Sequence, residues 1–325
     1  MNVSVVIPLH NKVRHIRRAI DSVLAQSQRN FELIVVDDGS TDESADVVRS
    51  ISDPRVRLIV QNNEGECAAR NRGIREAAAE LIAFLDADDE WGPSFLATVL
   101  DLRSRYPAAG LYASAYRFCK GEKSWRPNFI CCVSQARGGL LDDYFQAAIG
   151  PPPVISSAVM IPRAVFTKAG CFPVGVRWGG DLHTWARIAL RYRVAWSPLE
   201  CAIYHLSADN RACKLVGPTT DTAAAPAIEA FLRSGDEPIS SRSMVEEYLV
   251  SRRLPIVLDC HLNGKKRWAR RLLKKTHGTQ MFRSKRLVLQ FVILIPPRIL
   301  RAALSVKAAL RRMWSWRRGR GLASD

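Results

Sequence analysis

The stretch Leu81-Ile82-Ala83-Phe84-Leu85-Asp86-Ala87-Asp88-Asp89 decides how this chain is read. An apolar strand brings three carboxylates onto a few consecutive backbone positions and then stops. Like charges this close repel and raise one another's pKa, so the cluster is costly unless a cation occupies it. Oxygen ligands at a strand end suit Mg²⁺ or Mn²⁺, which completes its shell with waters and the phosphates of a ligand. The competing reading is a solvated acidic loop that caps the next helix.

Upstream, residues 3–8 form a continuous apolar run suited to a strand buried on both faces. Ile16, Ala19, Ile20, Val23 and Leu24 then recur at helical spacing on one stripe. Residues 31–36 predict a second buried strand ending at Asp37-Asp38-Gly39, and Ser40 with Glu43 reads as a capping box that opens a helix. Residues 55–60 predict a third strand, and the alanine-rich 68–81 a helix feeding the acidic cluster. Strands alternating with helices imply parallel βαβ units, whose ligands gather at the carboxyl ends of the strands. Asn11, Asp37, Asp38 and Asp86 to Asp89 all fall at such ends, so one pocket is expected.

Near Gly110 the pattern changes. Residues 111–118, 155–161, 192–196 and 202–205 read as strands, and Gly179-Gly180-Asp181 precedes a helix. Residues 217–222 have the composition of a linker, followed by helical, increasingly basic sequence. The expected organisation is 1–110, 111–216 and 217–325.

The 47% hydrophobic and 24% charged content belongs to a globular chain and excludes a disordered one. No signal peptide is read in the opening residues. Eight cysteines without a Cys-x-x-Cys pair, Cys131 and Cys132 adjacent, suggest reduced thiols in the cytoplasm. The net charge of +17 is uneven: residues 252–320 hold 20 Lys and Arg against one acid, Asp259. The preceding body is nearly neutral, so the tail has a separate task.

Four motifs in order resemble glycosyltransferase family 2, of the GT-A fold. They are Val5-Val6-Ile7-Pro8-Leu9-His10-Asn11, Val35-Val36-Asp37-Asp38-Gly39-Ser40-Thr41-Asp42, Asn62-Asn63-Glu64-Gly65 with Ala69-Arg70-Asn71-Arg72-Gly73, and Phe84-Leu85-Asp86-Ala87-Asp88-Asp89. The similarity runs on through Ser157-Ala158-Val159-Met160 to Gly180-Asp181-Leu182-His183-Thr184-Trp185, covering residues 2–206. It implies an α/β protein with a Rossmann-like, mixed and mostly parallel sheet flanked by helices. Residues 1–110 would be the nucleotide-sugar half, 111–216 the acceptor and catalytic half, and 217–325 a basic helical extension.

The resemblance further implies inverting transfer of a sugar from a nucleotide diphosphate donor, expected to be a uridine diphosphate sugar, to an acceptor hydroxyl. Mn²⁺ or Mg²⁺ held by Asp88, with Asp86 or Asp89 assisting, would stabilise the departing diphosphate. Asp86 also reaches the ribose or a sugar hydroxyl. Asp38, with Asp37 beside it, matches the position that binds the base; the alternative is a charge favouring a helix dipole. Pro8 and Asn11 shape the loop that closes on the base, and His10 stands where the family often has Tyr. Arg70 meets the diphosphate or sugar, or is a surface cation. Asp181 matches the catalytic base, or caps its helix, or does both. Gly180 replaces a usual Glu and His183 a usual acid. His205 matches a contact to metal or pyrophosphate; a packed histidine is the plainer account.

In the tail, the apolar segment 287–295 is too short to span a bilayer as a helix. Basic helices with apolar and Trp faces lie in membrane interfaces, and residues 298–320 suit that picture. An ordinary subdomain with solvated basic faces is the alternative. Nucleic-acid binding is not expected, because no aromatic stacking motif interleaves the cations. The resulting expectation is a peripheral enzyme on the inner face of the cytoplasmic membrane, with a saccharide or lipid-linked saccharide acceptor. The rivals are a metal-dependent nucleotidyltransferase and a non-catalytic nucleotide-sugar-binding scaffold.

Overall fold

The computed structural model describes residues 2–130, 137–208 and 221–303. Cys131 and Cys132, residues 217–220 of the linker, and the tail residues Leu304, Ala308, Leu310, Met313 and Trp314 lie outside the described residues. Two compact units divide the chain: Met1–Gly217 with Ala223–Tyr248, and Pro218–Thr222 with Leu249–Asp325.

In the first unit, β1 (Val3–Leu9) runs parallel between β2 (Phe31–Asp38) and β4 (Leu81–Phe84), with Val3 in register with Phe31 and Leu81. β3 (Val56–Gln61) extends this parallel half beyond β2. All residues of β1 and β2 are buried; most are apolar, and the buried Ser4 Oγ donates to Glu32 Oε1 at 2.6 Å. Ile16, Ala19, Ile20 and Val23 of α1 (Ile16–Leu24) join Val3, Val5 and Ile7 in one core. Over the other face lies α3 (Glu66–Glu76), where a Cβ at Gly73 would stand 2.3 Å from Val6 Cγ1, so only glycine permits this approach. Each buried Val or Ile contributes about 1.5–3 kcal/mol relative to exposure.

Beyond β4 the sheet becomes mixed. β9 (Val159–Pro162) lies antiparallel between β4 and β6 (Leu111–Lys120), and β10 (Val194–His205) runs parallel to β6. β5 (Glu90–Trp91) pairs antiparallel with the end of β10, bringing Ile203 against Glu90. Short β7 (Lys123–Trp125) and β8 (Gly139–Leu140) add edge pairings. The other helices of this unit are α2 (Ser44–Arg49), α4 (Phe95–Arg105), α5 (Tyr144–Ala147), α6 (Arg163–Ala169), α7 (Gly180–Ala189) and α8 (Ala225–Arg233).

Three local expectations are corrected. The helix expected over 68–81 ends at Glu76, because Ala78 N–H donates to Glu32 Oε1 at 2.6 Å and Ala79 N–H to Ser4 Oγ at 3.0 Å. Arg163 also donates to the carbonyls of Ala77 and Ala79, so tertiary partners outbid helix propensity. The Ser40–Glu43 capping box does not form: Ser40 Oγ accepts from Asn11 N–H at 3.0 Å and the helix starts at Ser44. The strands expected at 192–196 and 202–205 are one strand, β10, with register shifts between Ser197 and Ala202.

In the second unit, Val250, Leu254, Val257 and Cys260 of α9 (Arg242–Leu262) pack with Ala269, Leu272 and Leu273 of α10 (Lys266–Lys274). α11 (Arg283–Val292) follows, and Phe282, Leu289 and Ile293 rest on that core. The Arg253 guanidinium pairs with Asp221 at 3.0 Å, anchoring the short segment to α9.

Candidate active site

The carboxyl ends of β1, β2 and β4 open onto a cavity of about 680 Å³. Pro8, His10, Asp38, Arg70, Asp86, Asp88, Asp89, Asp181 and His205 all line it, while Asn11 and Asp37 do not. Asn11 sits behind: at φ 52° its backbone turns sharply, and its Oδ1 accepts from Thr41 N–H at 2.7 Å. Asp37 Oδ1 accepts from Ser40 N–H at 3.1 Å and shapes the turn after β2.

At the β2 end, Asp38 Oδ1 accepts from Gln61 Nε2 at 2.8 Å and Glu64 N–H at 2.9 Å, and Oδ2 from Gly65 N–H at 2.8 Å. An ionised carboxylate offers about four acceptor positions, so roughly one is left facing the cavity. His10 Nδ1 lies 3.0 Å from the Asp38 carbonyl, which makes it the donor and directs Nε2 toward Asn63 Nδ2, 3.3 Å away.

The acidic cluster does not converge on one point. Asp89 N–H donates to Asp86 O at 3.0 Å, closing a tight turn from which the side chains radiate. Each carboxylate has its own partner. Asp86 Oδ1 accepts from Arg70 Nη2 at 2.7 Å, and Asp88 Oδ2 from Lys12 Nζ at 2.8 Å. Asp89, 1% exposed, accepts from Ser157 Oγ at 2.5 Å and His205 N–H at 2.9 Å. Among the described residues no three His, Cys, Asp or Glu side chains form a group able to hold a metal. The repulsion inferred from the sequence is thus relieved largely by protein cations and donors.

Burial still dominates the titration. It pushes Asp86 up to about 6, against the pull of Arg70 and with Glu66 and Asp88 adding repulsion. Asp89 is raised well above the usual carboxylate range by burial and by the charges of Asp88 and Asp86. Burial lowers His205, helped by Arg18, so the imidazole tends to be neutral; its Nε2 makes no hydrogen bond and lies 3.6 Å from Glu90 Oε1. Asp88 and His205 both line the cavity, donor types that fit a cation filling the rest of its shell with diphosphate oxygens. Asp89 fits that role less directly, since both its oxygens are engaged.

Arg70, 2% exposed, stacks 5.3 Å above the Phe172 ring while also pairing with Glu66. Asn71 exchanges hydrogen bonds with Phe172 (Nδ2 to O, 2.8 Å; N–H to Oδ1, 2.9 Å), fixing the chain that leads into α7. Asp181 stands in the first turn of α7; burial raises its pKa against the opposing charge of Arg70. A Cβ at Gly180 would lie 2.4 Å from Cys67 Sγ, so the thiol leaves no room for a side chain at this position. Sequence reasoning missed Lys12, Ser157 and Cys67, whose roles depend on pairings across the fold; only Ser157 lay inside a motif.

Glycosyl transferase family 2 matches residues 4–169. An uncharacterized glycosyltransferase of Nostoc sp. is 42% identical over 105 residues, 31% of this chain and 33% of that protein. The putative colanic acid biosynthesis glycosyl transferase WcaA of Escherichia coli is 39% identical over 129 residues, 38% of this chain and 46% of that protein. The chain therefore matches about a third to a half of the length of these relatives. The crystal structure of S. aureus TarS 1–349 in complex with UDP-GlcNAc superposes with a TM-score of 0.67 at 16% identity, covering 85% of this chain and 82% of that one. That likeness is one of fold, and the fold is GT-A. The family match covers just over half of the sequence and contains the cavity's β1, β2, α3 and β4 rims: the chain belongs to glycosyltransferase family 2.

Proposed function

We propose that the chain transfers a sugar from a uridine diphosphate sugar to an acceptor hydroxyl with inversion. The observation that carries this reading is that Asp38, Asp86, Asp88 and Asp181 line one cavity, of a size suited to a nucleotide sugar. In this reading residues 1–110 serve the donor and 111–216 the acceptor. His10, Pro8 and the remaining acceptor position of Asp38 receive the base, while Asn11 and Asp37 hold their loops from behind. Arg70 orients Asp86 toward ribose and sugar hydroxyls. Asp88 and His205 would hold Mn²⁺ or Mg²⁺, with Asp89 acting through the His205 backbone, and the ion would neutralise the departing diphosphate.

Asp181 accepts the proton of the acceptor hydroxyl as that oxygen bonds to the anomeric carbon and the carbon–diphosphate bond breaks. Its raised pKa makes it a stronger base than a solvated aspartate. The UDP-GlcNAc bound to TarS supports the uridine diphosphate sugar donor, and the name of WcaA supports a saccharide acceptor in surface polysaccharide or glycolipid assembly. A lipid-linked acceptor on the inner face of the cytoplasmic membrane, reached through the basic residues 252–320, completes the proposal.

The test is a panel of nucleotide sugars, scored with Mn²⁺ for thermal stabilisation and for release of nucleoside diphosphate. Stabilisation by a UDP-sugar with slow UDP release is expected. Stabilisation without release favours a binding protein, a reading that the Gly180–Cys67 departure keeps in view. No stabilisation by any of them contradicts the proposal.

A further inference from the structure

We infer that the outward face of α11 and the turn after it form a ridge that inserts into anionic lipid. The inference deepens the membrane part of the proposed function and rests on it, not on the transfer chemistry. α11 is apolar on two sides. Leu289 and Ile293 face the core of their unit, and Leu287, Val288, Phe291, Leu294 and Ile295 point to solvent. Within α11, Leu287, Val288 and Phe291 share one stripe; Leu294 and Ile295 in the turn after it, and Ile299 in the helical residues that follow, are exposed as well. Phe291 is 70% exposed and Leu294 69%. Isolated exposed apolar residues are ordinary; a contiguous ridge marks an interaction surface.

Charge selects the partner. Residues 260–303 contain twelve Lys and Arg and no Asp or Glu. Arg283, Lys285, Arg298 and Arg301 are exposed at the two ends of the ridge. A second copy docking through the same face would bring these cations against their own equivalents. Anionic headgroups above an acyl layer match both features at once. No described helix is long and apolar enough to cross a membrane, so the ridge would lie in the interface. Trp268 of the same unit, also exposed, is of a type enriched there.

The experiment is co-sedimentation of the full chain with phosphatidylcholine vesicles, with and without phosphatidylglycerol, comparing wild type with Phe291→Asp/Leu294→Asp. Both positions face solvent, so the fold should hold, as circular dichroism would verify. Binding to the anionic vesicles only, weakened by salt and reduced at least tenfold in the double variant, is expected. Equal binding by the variant overturns the inference. So does wild type that ignores vesicles or forms a dimer that the variant dissolves. UDP release in solution, unchanged by the variant, keeps this outcome separate from that of the transfer reading.

Discussion

The cavity and the α11 ridge handle charge in opposite ways. Around the cavity, Asp86, Asp88 and Asp38 each meet a cation or polar donor within 3 Å, and Asp89 is sealed by Ser157 and His205. In the second unit, α10 and α11 carry cations with no acid between residues 260 and 303. Charges neutralised within the fold are positioned for a reaction, where geometry matters to a fraction of an ångström. Cations that outnumber the acids of their own stretch, beside exposed apolar side chains, suit an anionic surface outside the chain. One region is built for precision and the other for adhesion.

The sharpest way to break this contrast is Asp181→Asn. Transfer should fall by roughly 10²–10⁴-fold while UDP affinity is kept, as measured by steady-state kinetics and calorimetry. Loss of both together would make Asp181 a structural group. Because burial raises its pKa, the base is ionised only at higher pH than a solvated aspartate. The acid limb of kcat/KM should therefore lie above the ordinary carboxylate value of about 3.9. A limb at or below that value points to another base.

Gly180→Ala should cost about 1–3 kcal/mol in urea denaturation, since the new Cβ would meet Cys67 Sγ at 2.4 Å. Cys67→Gly in the same chain should restore much of that loss; no rescue would mean that the strain lies elsewhere. At Asp89, substitution by Ala leaves the Ser157 O–H and the His205 N–H without an acceptor inside the protein, a loss of about 1–3 kcal/mol. Asp89→Asn should be far milder. Burial and the neighbouring carboxylates raise Asp89, so ionising it costs stability, a cost that shrinks as pH falls below its folded pKa and is gone only below the unfolded value of about 3.9. Thermal melts of the two variants across pH separate these effects.

The smallest expected change is that of Lys12→Met. Without its ion pair Asp88 should bind free Mn²⁺ about two- to fivefold more tightly, read by electron paramagnetic resonance. Unaltered Mn²⁺ affinity would mean that Lys12 does not compete for that carboxylate.

What was legible in the sequence follows from range. β1 and β2 were plain because strands buried on both faces read as mostly apolar runs, and α1 because its stripe faces one core. Asp38, Asp86, Asp88 and Asp89 were legible as strand ends, and Arg70, Asp181 and His205 only through the family motifs; nine of the eleven residues named line the cavity. The end of α3 was hidden, since Ser4, Glu32 and Arg163 capture the backbone of residues 77–79 from far along the chain. Lys12, 76 positions from Asp88, gave no local signal that it would reach the acidic turn. The outward ridge of α11 was visible only as an apolar segment, because nothing local tells which of its two apolar sides the core would take.

The most direct test of the central claim is calorimetric titration of UDP into the wild-type chain and Asp88→Ala, with Mn²⁺ and with chelator. The account expects saturable binding to wild type with Mn²⁺, at least tenfold weaker after chelation, and no Mn²⁺ dependence in the variant. Failure of wild type to bind UDP, or identical Mn²⁺-dependent binding by both proteins, would contradict it.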